Sequence, residues 1–343
     1  MLRSSSMTSF EKAPADVKEL LSKPIRDLGL KLEGSSVERF VHQLYRELER
    51  KGLRKFRPLV YLSDEWGCPD EEPVIGIPFY LADPKLQKLE REMNDLEDSR
   101  QIMMYMRHEA GHAFNYAYEL YRTTEWHNLF GSFRKAYRDN YKPIPFSRKY
   151  VRHMEGWYAQ KHPDEDFAET FAVWMTPRSN WRSRYKGWGA AQKLNYMERM
   201  GKKYADIEPS RPQGDTDITV EQMEDTVGQF YENHASETRE VAGLLLDTDL
   251  KDIFNVSPRK RKGVRPAVDL LREHRKVLTD KLTYWTGVQR PLIKNLIEAI
   301  EGRVAFLKLQ SEMKCEQHYL TEITVFCTTL TMNYLTRGKF VQS

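Results

Sequence analysis

Two short apolar runs and a longer helical pattern occupy the first third of the chain. Residues 56–62 and 74–81 are apolar and are bounded by polar or turn-forming residues, so each run predicts a strand. Pro78 cannot donate a hydrogen bond to a ladder, so the second run is either a strand at a sheet edge or a proline-bearing connector. Further on, the apolar spacing becomes that of a helix, with members Ile102, Met103, Met106, Ala110, Ala113, Phe114 and Ala117.

Helical patterns also precede the strands and fill the second half of the chain. A helix is expected over residues 36–51, with Ser35 and Glu38 at capping-box spacing and Gly52 after its end. The highly charged segment 85–100 predicts a solvated helix that leads into the apolar one. Beyond residue 218, helices are predicted over residues 220–234, 237–246, 267–282 and 290–310.

A polar segment that contains two prolines and a glycine, residues 209–215, is the best candidate for a linker. With 343 residues the chain exceeds one typical domain. The expected division is an arm over 1–35, a domain with the strands over 36–208, a linker over 209–217 and an α-helical domain over 218–343. The predicted fold class is α+β.

Composition excludes several classes of protein. Mean hydropathy is −0.69, but 12% of residues are aromatic, which disordered chains lack. No stretch is apolar enough to span a membrane, and the N-terminus lacks the apolar core of a secretory signal. The three cysteines are odd in number and widely spaced, which favours free thiols. We therefore expect a cytoplasmic protein without a membrane partner, and the sequence leaves its oligomeric state open.

The stretch His108-Glu109-Ala110-Gly111-His112 lies inside the predicted helix of residues 102–117 and matches H-E-x-x-H. Residues four apart share one helical face, so both imidazoles can reach one metal ion. Glu109 projects beside them, where a carboxylate can take a proton from an activated water. The alternative is that both histidines are ordinary core or surface residues. The spacing favours a zinc site with His108 and His112 as ligands.

A second segment can complete this site, because catalytic zinc usually takes three protein ligands. Pro163 suits the first turn of a helix, and the three acidic residues after it suit the positive end of the helix dipole. Glu165 and Glu169 are four apart and share one face, so spacing alone does not say which of them binds metal. A solvated acidic face is the alternative when this segment is taken alone.

Residues 165–171, Glu-Asp-Phe-Ala-Glu-Thr-Phe, together with the H-E-x-x-H stretch resemble the gluzincin metallopeptidases. The likeness extends to uncharacterised bacterial zinc-binding metallopeptidases and, locally, to the catalytic domain of anthrax lethal factor. It implies a zincin-like domain, with a small mixed sheet, an active-site helix and a second ligand helix. It also implies Zn²⁺ as cofactor, Glu165 as third ligand and Glu169 as the residue that orients an imidazole. The metzincin pattern is absent, since Tyr118 stands where that pattern has a histidine.

The same resemblance nominates Tyr158, seven residues before Glu165, to stabilise an oxyanion. Tyr150, His153 and His162 in the same region are alternatives. The expected function is a zinc metallopeptidase that hydrolyses peptides or proteins, with Glu109 as general base.

Two other functions stay open at this point. One is an inactive zincin fold that serves as a binding module. The other is an interaction protein that acts through its C-terminal half and the basic run 258–265. A net charge of +4 gives no broad basic field, so a nucleic-acid partner is not expected and the run is interpreted as a solvated loop.

Overall fold

A computed structural model of the chain describes residues 14–93, 96–138, 141, 143–234, 246–254 and 263–340. These residues form two compact units. Unit 1 takes its described residues from 14–154 and 158–234, and unit 2 takes them from 155–157 and 246–340. Both are mostly helical, and each contains one two-stranded sheet. The fold is therefore mixed α and β, with little strand.

Unit 1 contains two strands and a series of helices whose bounds follow here in chain order. The helices are α1 (Ala15–Ser22), α2 (Glu38–Arg50), α3 (Pro84–Met93), α4 (Ser99–Ala117), α5 (Thr124–Phe130), α6 (Pro163–Met175), α7 (Trp181–Arg184), α8 (Ala190–Lys203) and α9 (Val227–His234). The strands are β1 (Leu59–Ser63) and β2 (Val74–Pro78). The H-E-x-x-H helix and the helix that begins at Pro163 are confirmed.

The sheet of unit 1 is parallel, with Leu59 opposite Val74 and Ser63 opposite Pro78. Gly67 forms an isolated antiparallel bridge with Gly76. At Gly76, β2 thus has β1 on one side and the chain at Gly67 on the other, so it is a strand but not one at the sheet edge, the first of the two alternatives that Pro78 left open. Both predicted strands exist and are shorter than expected. The second is shorter because its apolar run continues into a 3₁₀ turn, Phe79–Ala82.

Two further expectations for unit 1 need correction. The predicted capping box at residue 35 does not form: the carboxylate of Glu38 accepts a hydrogen bond from the Gly34 N–H instead. The charged segment before the H-E-x-x-H helix is not one helix. Its first part is α3, and α4 begins anew after Asp98, which caps it.

The predicted domain boundary also differs from the packing. Backbone hydrogen bonds join the segment after residue 218 to the N-terminal arm, from Ile25 N–H to Asp225 O and from Val227 N–H to Lys23 O. Val227 and Phe230 are buried in the core of unit 1. Residues 218–234 therefore belong to unit 1, and the segment 209–217 is not the boundary between the two units. Apolar side chains of α9 pack against the rest of the core of unit 1, and periodicity along the chain does not predict such a contact.

Unit 2 is a helical unit with one antiparallel strand pair. Its helices are α10 (Asp247–Ile253), α11 (Ala267–Thr286), α12 (Arg290–Phe306) and α13 (Glu316–Arg337), and its strands are β3 (Val264–Pro266) and β4 (Gln310–Glu312). The stripe Ile293, Leu296, Ile300 and Val304 on α12 is buried in the core of this unit. Within the described residues, no helix is long and apolar enough to cross a membrane.

Two sequence predictions fall partly outside the described residues. The predicted helix 237–246 does so except for Leu246, and the basic run 258–265 does so over 258–262. Of that run, Arg265 lies in β3 and forms ion pairs with Glu273 and Glu316. At this end, the run is thus not a solvated loop, because its last arginine is bonded within unit 2.

Candidate metal centre

Helix α4 carries both histidines on a buried face. The side chain of Asp98 accepts hydrogen bonds from the N–H groups of Arg100 and Gln101, and Gln101 completes a capping box. This cap fixes where the helix begins and therefore the direction in which His108 and His112 project. Both imidazoles are almost fully buried, and their ring centroids are 4.9 Å apart.

Helix α6 brings the carboxylates to the same place. His162 is its N-cap: Nδ1 accepts from the Asp164 N–H at 3.2 Å, and Nε2–H donates to the Lys135 carbonyl at 2.7 Å. Pro163 occupies the first helical position, which suits a residue without an N–H. The first turn of the helix thereby brings Asp164 and Glu165 to α4, whereas Asp166 pairs with Lys193 of α8.

Close packing of the two helices depends on Gly111, between the two histidines. A Cβ at this position would lie 2.7 Å from Ala168 Cα and 2.9 Å from Ala168 O. Real Cβ atoms do not approach other atoms so closely, so a larger residue would push the helices apart. One turn further along, Phe114 of α4 stacks on Phe171 of α6, with centroids 5.1 Å apart. A glycine and an aromatic pair therefore set the distance between imidazoles and carboxylates.

Three donor atoms converge between the helices. His108 Nε2 and His112 Nε2 are 3.2 Å apart, and Glu165 Oε2 lies 2.9 Å from the first and 3.3 Å from the second. Nitrogen from two imidazoles and oxygen from one carboxylate is a donor set that zinc accepts. The group His108, His112 and Glu165 can hold a metal ion. Of the two glutamates that spacing left open, Glu165 is the one at this point.

Glu169 contacts the opposite side of the first imidazole. Its Oε1 lies 3.1 Å from His108 Nδ1, and its carboxylate also accepts from the backbone N–H groups of His153 and Met154. Three donors fix this carboxylate, and it in turn fixes the ring so that Nε2 faces the metal point. This is the contact that the resemblance implied for Glu169.

Sequence analysis missed the matching partner of the second imidazole, Asp164. Its Oδ2 lies 2.7 Å from His112 Nδ1 and accepts from the Tyr116 hydroxyl, and its Oδ1 accepts from the Asn115 amide. The sequence shows Asp164 only as one of three acidic residues that suit the helix dipole, and spacing gives no signal that it reaches His112. Each imidazole therefore has its own carboxylate at Nδ1.

A cleft of about 660 Å³ opens onto the metal point. Its walls include His108, Glu109, His112, Tyr116, Tyr137, Tyr158, Lys161, His162, Asp164 and Glu165, together with the segment Glu65–Cys68 and Asp70. Burial raises the pKa of the Glu109 carboxyl, although the neighbouring imidazoles lower it. A buried carboxyl whose pKa is raised towards neutrality is suited to general base and acid roles.

Tyr158 lines the cleft beside His108, and it has a partner that the sequence did not suggest. Its ring is 5.6 Å from that of His108, and its hydroxyl is 3.2 Å from the hydroxyl of Tyr137. Tyr137 in turn donates a hydrogen bond to Glu165 Oε1. Burial, and then the charge of Glu165, raises the pKa of both phenols, so both are hydrogen-bond donors at neutral pH.

The three alternatives to Tyr158 differ in position. His162 lines the cleft, but both its ring nitrogens are engaged: Nδ1 caps α6, and Nε2–H donates to the Lys135 carbonyl. The ring of His153 donates to the Met104 carbonyl at 2.9 Å, and Tyr150 packs beside Lys193. Neither His153 nor Tyr150 is among the cleft-lining residues.

Opposing effects set the charge state of the ligands. Burial would lower the pKa of His108, but hydrogen bonds with Glu165 and Glu169 outweigh it and raise the pKa to about 9. The pKa of His112 is also raised, since its contacts with Asp164 and Glu165 outweigh burial. For Glu165, burial would raise the pKa, but the two imidazoles hold it well below the usual range. Protons on the imidazoles therefore compete with a metal ion.

Residues 70–209 match a family model described as "Putative zinc-binding metallo-peptidase". The matched range contains α4, α6 and all the residues at the metal point, which supports a zinc metallopeptidase. The family is described as zinc-binding, and the chain has the ligand group to match. No curated protein matches the chain. No solved structure matches it.

Proposed function

We propose that unit 1 is a zinc-dependent peptidase of the gluzincin type with a zincin-like fold. One observation carries the proposal: His108 Nε2, His112 Nε2 and Glu165 Oε2 converge at one buried point beside Glu109. The chemistry of the donor set fits zinc, and a carboxylate at each Nδ1 holds the imidazoles in the orientation that zinc requires.

Zinc at this point would polarise the scissile carbonyl and make a water nucleophilic at neutral pH. The remaining work falls to side chains of the chain itself. Glu109 accepts the proton of the attacking water and delivers it to the leaving amine. Tyr158 donates its hydroxyl hydrogen to the oxyanion that develops on the carbonyl oxygen.

The proposed substrate is a peptide or protein segment in extended conformation. The segment Glu65–Cys68 lines the cleft, and Gly67 forms an antiparallel bridge with β2. A chain that lies along a cleft wall and pairs with a sheet offers backbone groups to an extended peptide. This segment therefore supports binding of substrate by strand addition.

The test begins with bound metal measured by elemental analysis in the wild type and in Glu165→Ala, Glu169→Ala and Glu109→Gln. We expect about one zinc per chain in the wild type, none in Glu165→Ala, retention in Glu109→Gln and weakened but measurable binding in Glu169→Ala. Hydrolysis of a quenched fluorescent peptide library then tests catalysis. Glu109→Gln should lower the rate by a factor on the order of 10² to 10⁴.

Glu119→Gln, just beyond the end of α4, is the matched control and should leave both zinc content and rate unchanged. Wild-type protein that takes up no zinc would overturn the peptidase proposal. Hydrolysis by Glu109→Gln at the wild-type rate would overturn the assignment of the general base.

A further inference from the structure

Tyr137 lies in the described stretch 131–138, which follows α5, and is half exposed. Two residues before it, the Lys135 carbonyl accepts a hydrogen bond from His162, and both residues line the cleft. Tyr137 is therefore held at the cleft by this neighbouring contact and by the hydrogen bond of its own hydroxyl to Glu165.

The hydroxyl of Tyr137 bonds to the ligand carboxylate at the oxygen that does not face the imidazoles. It donates to Glu165 Oε1, while Glu165 Oε2 lies near both Nε2 atoms. A carboxylate with one oxygen held in this way presents a single oxygen to a metal ion. Within the described residues, no other hydrogen bond to Glu165 Oε1 is present.

The number of hydroxyl protons determines which tyrosine donates in the hydrogen bond between Tyr137 and Tyr158. A phenol has one proton to donate, and an ionised carboxylate only accepts. Because the Tyr137 hydroxyl donates to Glu165, Tyr158 must be the donor in the 3.2 Å contact between the two hydroxyls. The proton of Tyr158 thus points to Tyr137 in this state, and it turns to a substrate oxygen only when that bond is given up.

A cation holds both rings in place. Lys161 Nζ lies 4.3 Å from the ring centroid of Tyr137 and 5.2 Å from that of Tyr158, a geometry in which an ammonium is attracted to the face of each ring. The two phenols and the lysine form one wall of the cleft.

We propose that Tyr137 is a positioning residue, which holds Glu165 so that Oε2 faces His108 and His112, and which accepts the hydrogen bond of the Tyr158 hydroxyl until substrate arrives. The inference rests on the proposed function, since it assigns a role around the same metal. It differs from the role proposed for Tyr158, whose hydroxyl is to bond substrate and makes its hydrogen bond to Tyr137 rather than to a metal ligand.

Zinc affinity separates the two tyrosines. Chelator-treated wild type, Tyr137→Phe and Tyr158→Phe are titrated with zinc in competition with a chromophoric chelator. Loss of a partner that orients a ligand typically weakens metal binding about tenfold to hundredfold, and we expect this range for Tyr137→Phe. Tyr158→Phe should bind zinc within about threefold of the wild type. Its defect should instead be a lower kcat.

Tyr121→Phe is the matched control, because it removes a tyrosine-to-glutamate hydrogen bond to Glu71 that lies outside the ligand set. It should leave zinc affinity unchanged. Circular dichroism confirms that each variant is folded, and the visible spectrum of the cobalt(II)-loaded proteins reports the ligand geometry. A changed cobalt spectrum in Tyr137→Phe alone supports the inference.

The outcomes distinguish the two proposals. If the wild type binds zinc and Tyr137→Phe binds it equally well with an unchanged cobalt spectrum, the role of Tyr137 is wrong while the proposed function stands. If the wild type binds neither metal, both proposals are overturned.

Discussion

The two halves of α6 bury different kinds of side chain. The N-terminal half buries four carboxylates, Asp164, Glu165, Asp166 and Glu169, and each has a cationic or imidazole partner. The C-terminal half buries apolar side chains, with Phe171 stacked on Phe114 and Trp174 packed against Gly201.

Buried ion pairs add little stability compared with apolar side chains of similar size, and they cost much when one partner is removed. The C-terminal half therefore explains why the helix is stable, and the N-terminal half needs another explanation. Clusters of buried groups with shifted pKa values are typical of functional sites. The comparison teaches that one helix serves as a structural element at one end and as a ligand support at the other.

The largest expected effect comes from the two glycines that face α6. Gly111→Ala and Gly201→Ala each introduce a Cβ within 2.7 Å of an atom of α6, at Ala168 and at Trp174 respectively. Each should lower the free energy of unfolding of the zinc-free protein by about 1–3 kcal/mol. Only Gly111→Ala should also weaken zinc binding, by about tenfold or more, because it moves the imidazoles away from their carboxylates.

Thermal unfolding and zinc titration on the same preparations check this pair. Gly201→Ala is the control for general destabilisation, since it acts on the apolar half of the helix. Equal losses of zinc affinity in both variants would show that the two halves are not independent.

The second prediction concerns the carboxylates that orient the imidazoles, and its effect is on zinc affinity. Asp164→Asn and Glu169→Gln keep the shape of the side chain but remove its charge, and each should weaken zinc binding about tenfold to hundredfold. Asp166→Asn is the control within the same turns, because Asp166 pairs with Lys193 and not with an imidazole. It should leave zinc affinity unchanged, and a loss there as large as that of Asp164→Asn would mean that charge alone, rather than ring orientation, sets the affinity.

The last prediction concerns pH. With the pKa of His108 raised to about 9, the zinc-free imidazole holds its proton at neutral pH and must release it when metal binds. Zinc affinity should therefore rise from pH 6.5 towards pH 9, by up to about tenfold per pH unit for each proton displaced. For the zinc-free chain, the same raised pKa adds stability below pH 6.5 that is lost as pH rises through about 9.

Calorimetric titrations in two buffers of different ionisation enthalpy measure the released protons. The apolar half of α6 has no titratable side chain, so this pH dependence belongs to the N-terminal half alone. Zinc uptake without proton release at pH 7 would show that the imidazoles are already neutral in the zinc-free protein.

The local sequence pattern was enough to predict those parts of the site that lie within a single helix. The spacing of His108 and His112 places both on one face by helix geometry alone. Pro163 and the acidic turn after it predicted where α6 begins. These features depend on residues a few positions apart, so periodicity and capping chemistry fix them. The choice of Glu165 over Glu169 was implied by resemblance and not by spacing.

Hydrogen-bond partners that come from distant segments could not be predicted from the sequence. The hydrogen bonds from His112 and Tyr116 to Asp164 and from Tyr137 to Glu165 join residues that are remote along the chain. Nothing in the acidic turn tells which carboxylate meets which ring, because that depends on the rotation and distance of α6 relative to α4. Gly111 sets that distance through its contact with Ala168.

The same division holds for the fold. The sequence determined the two ligand helices and the existence of two strands, since each is encoded by neighbouring residues. Only the tertiary structure decided that the strands pair in parallel, that β2 lies between β1 and the segment at Gly67, and that residues 218–234 pack on unit 1. Such choices follow from which apolar surfaces fit together, a property of the packed chain and not of any local stretch.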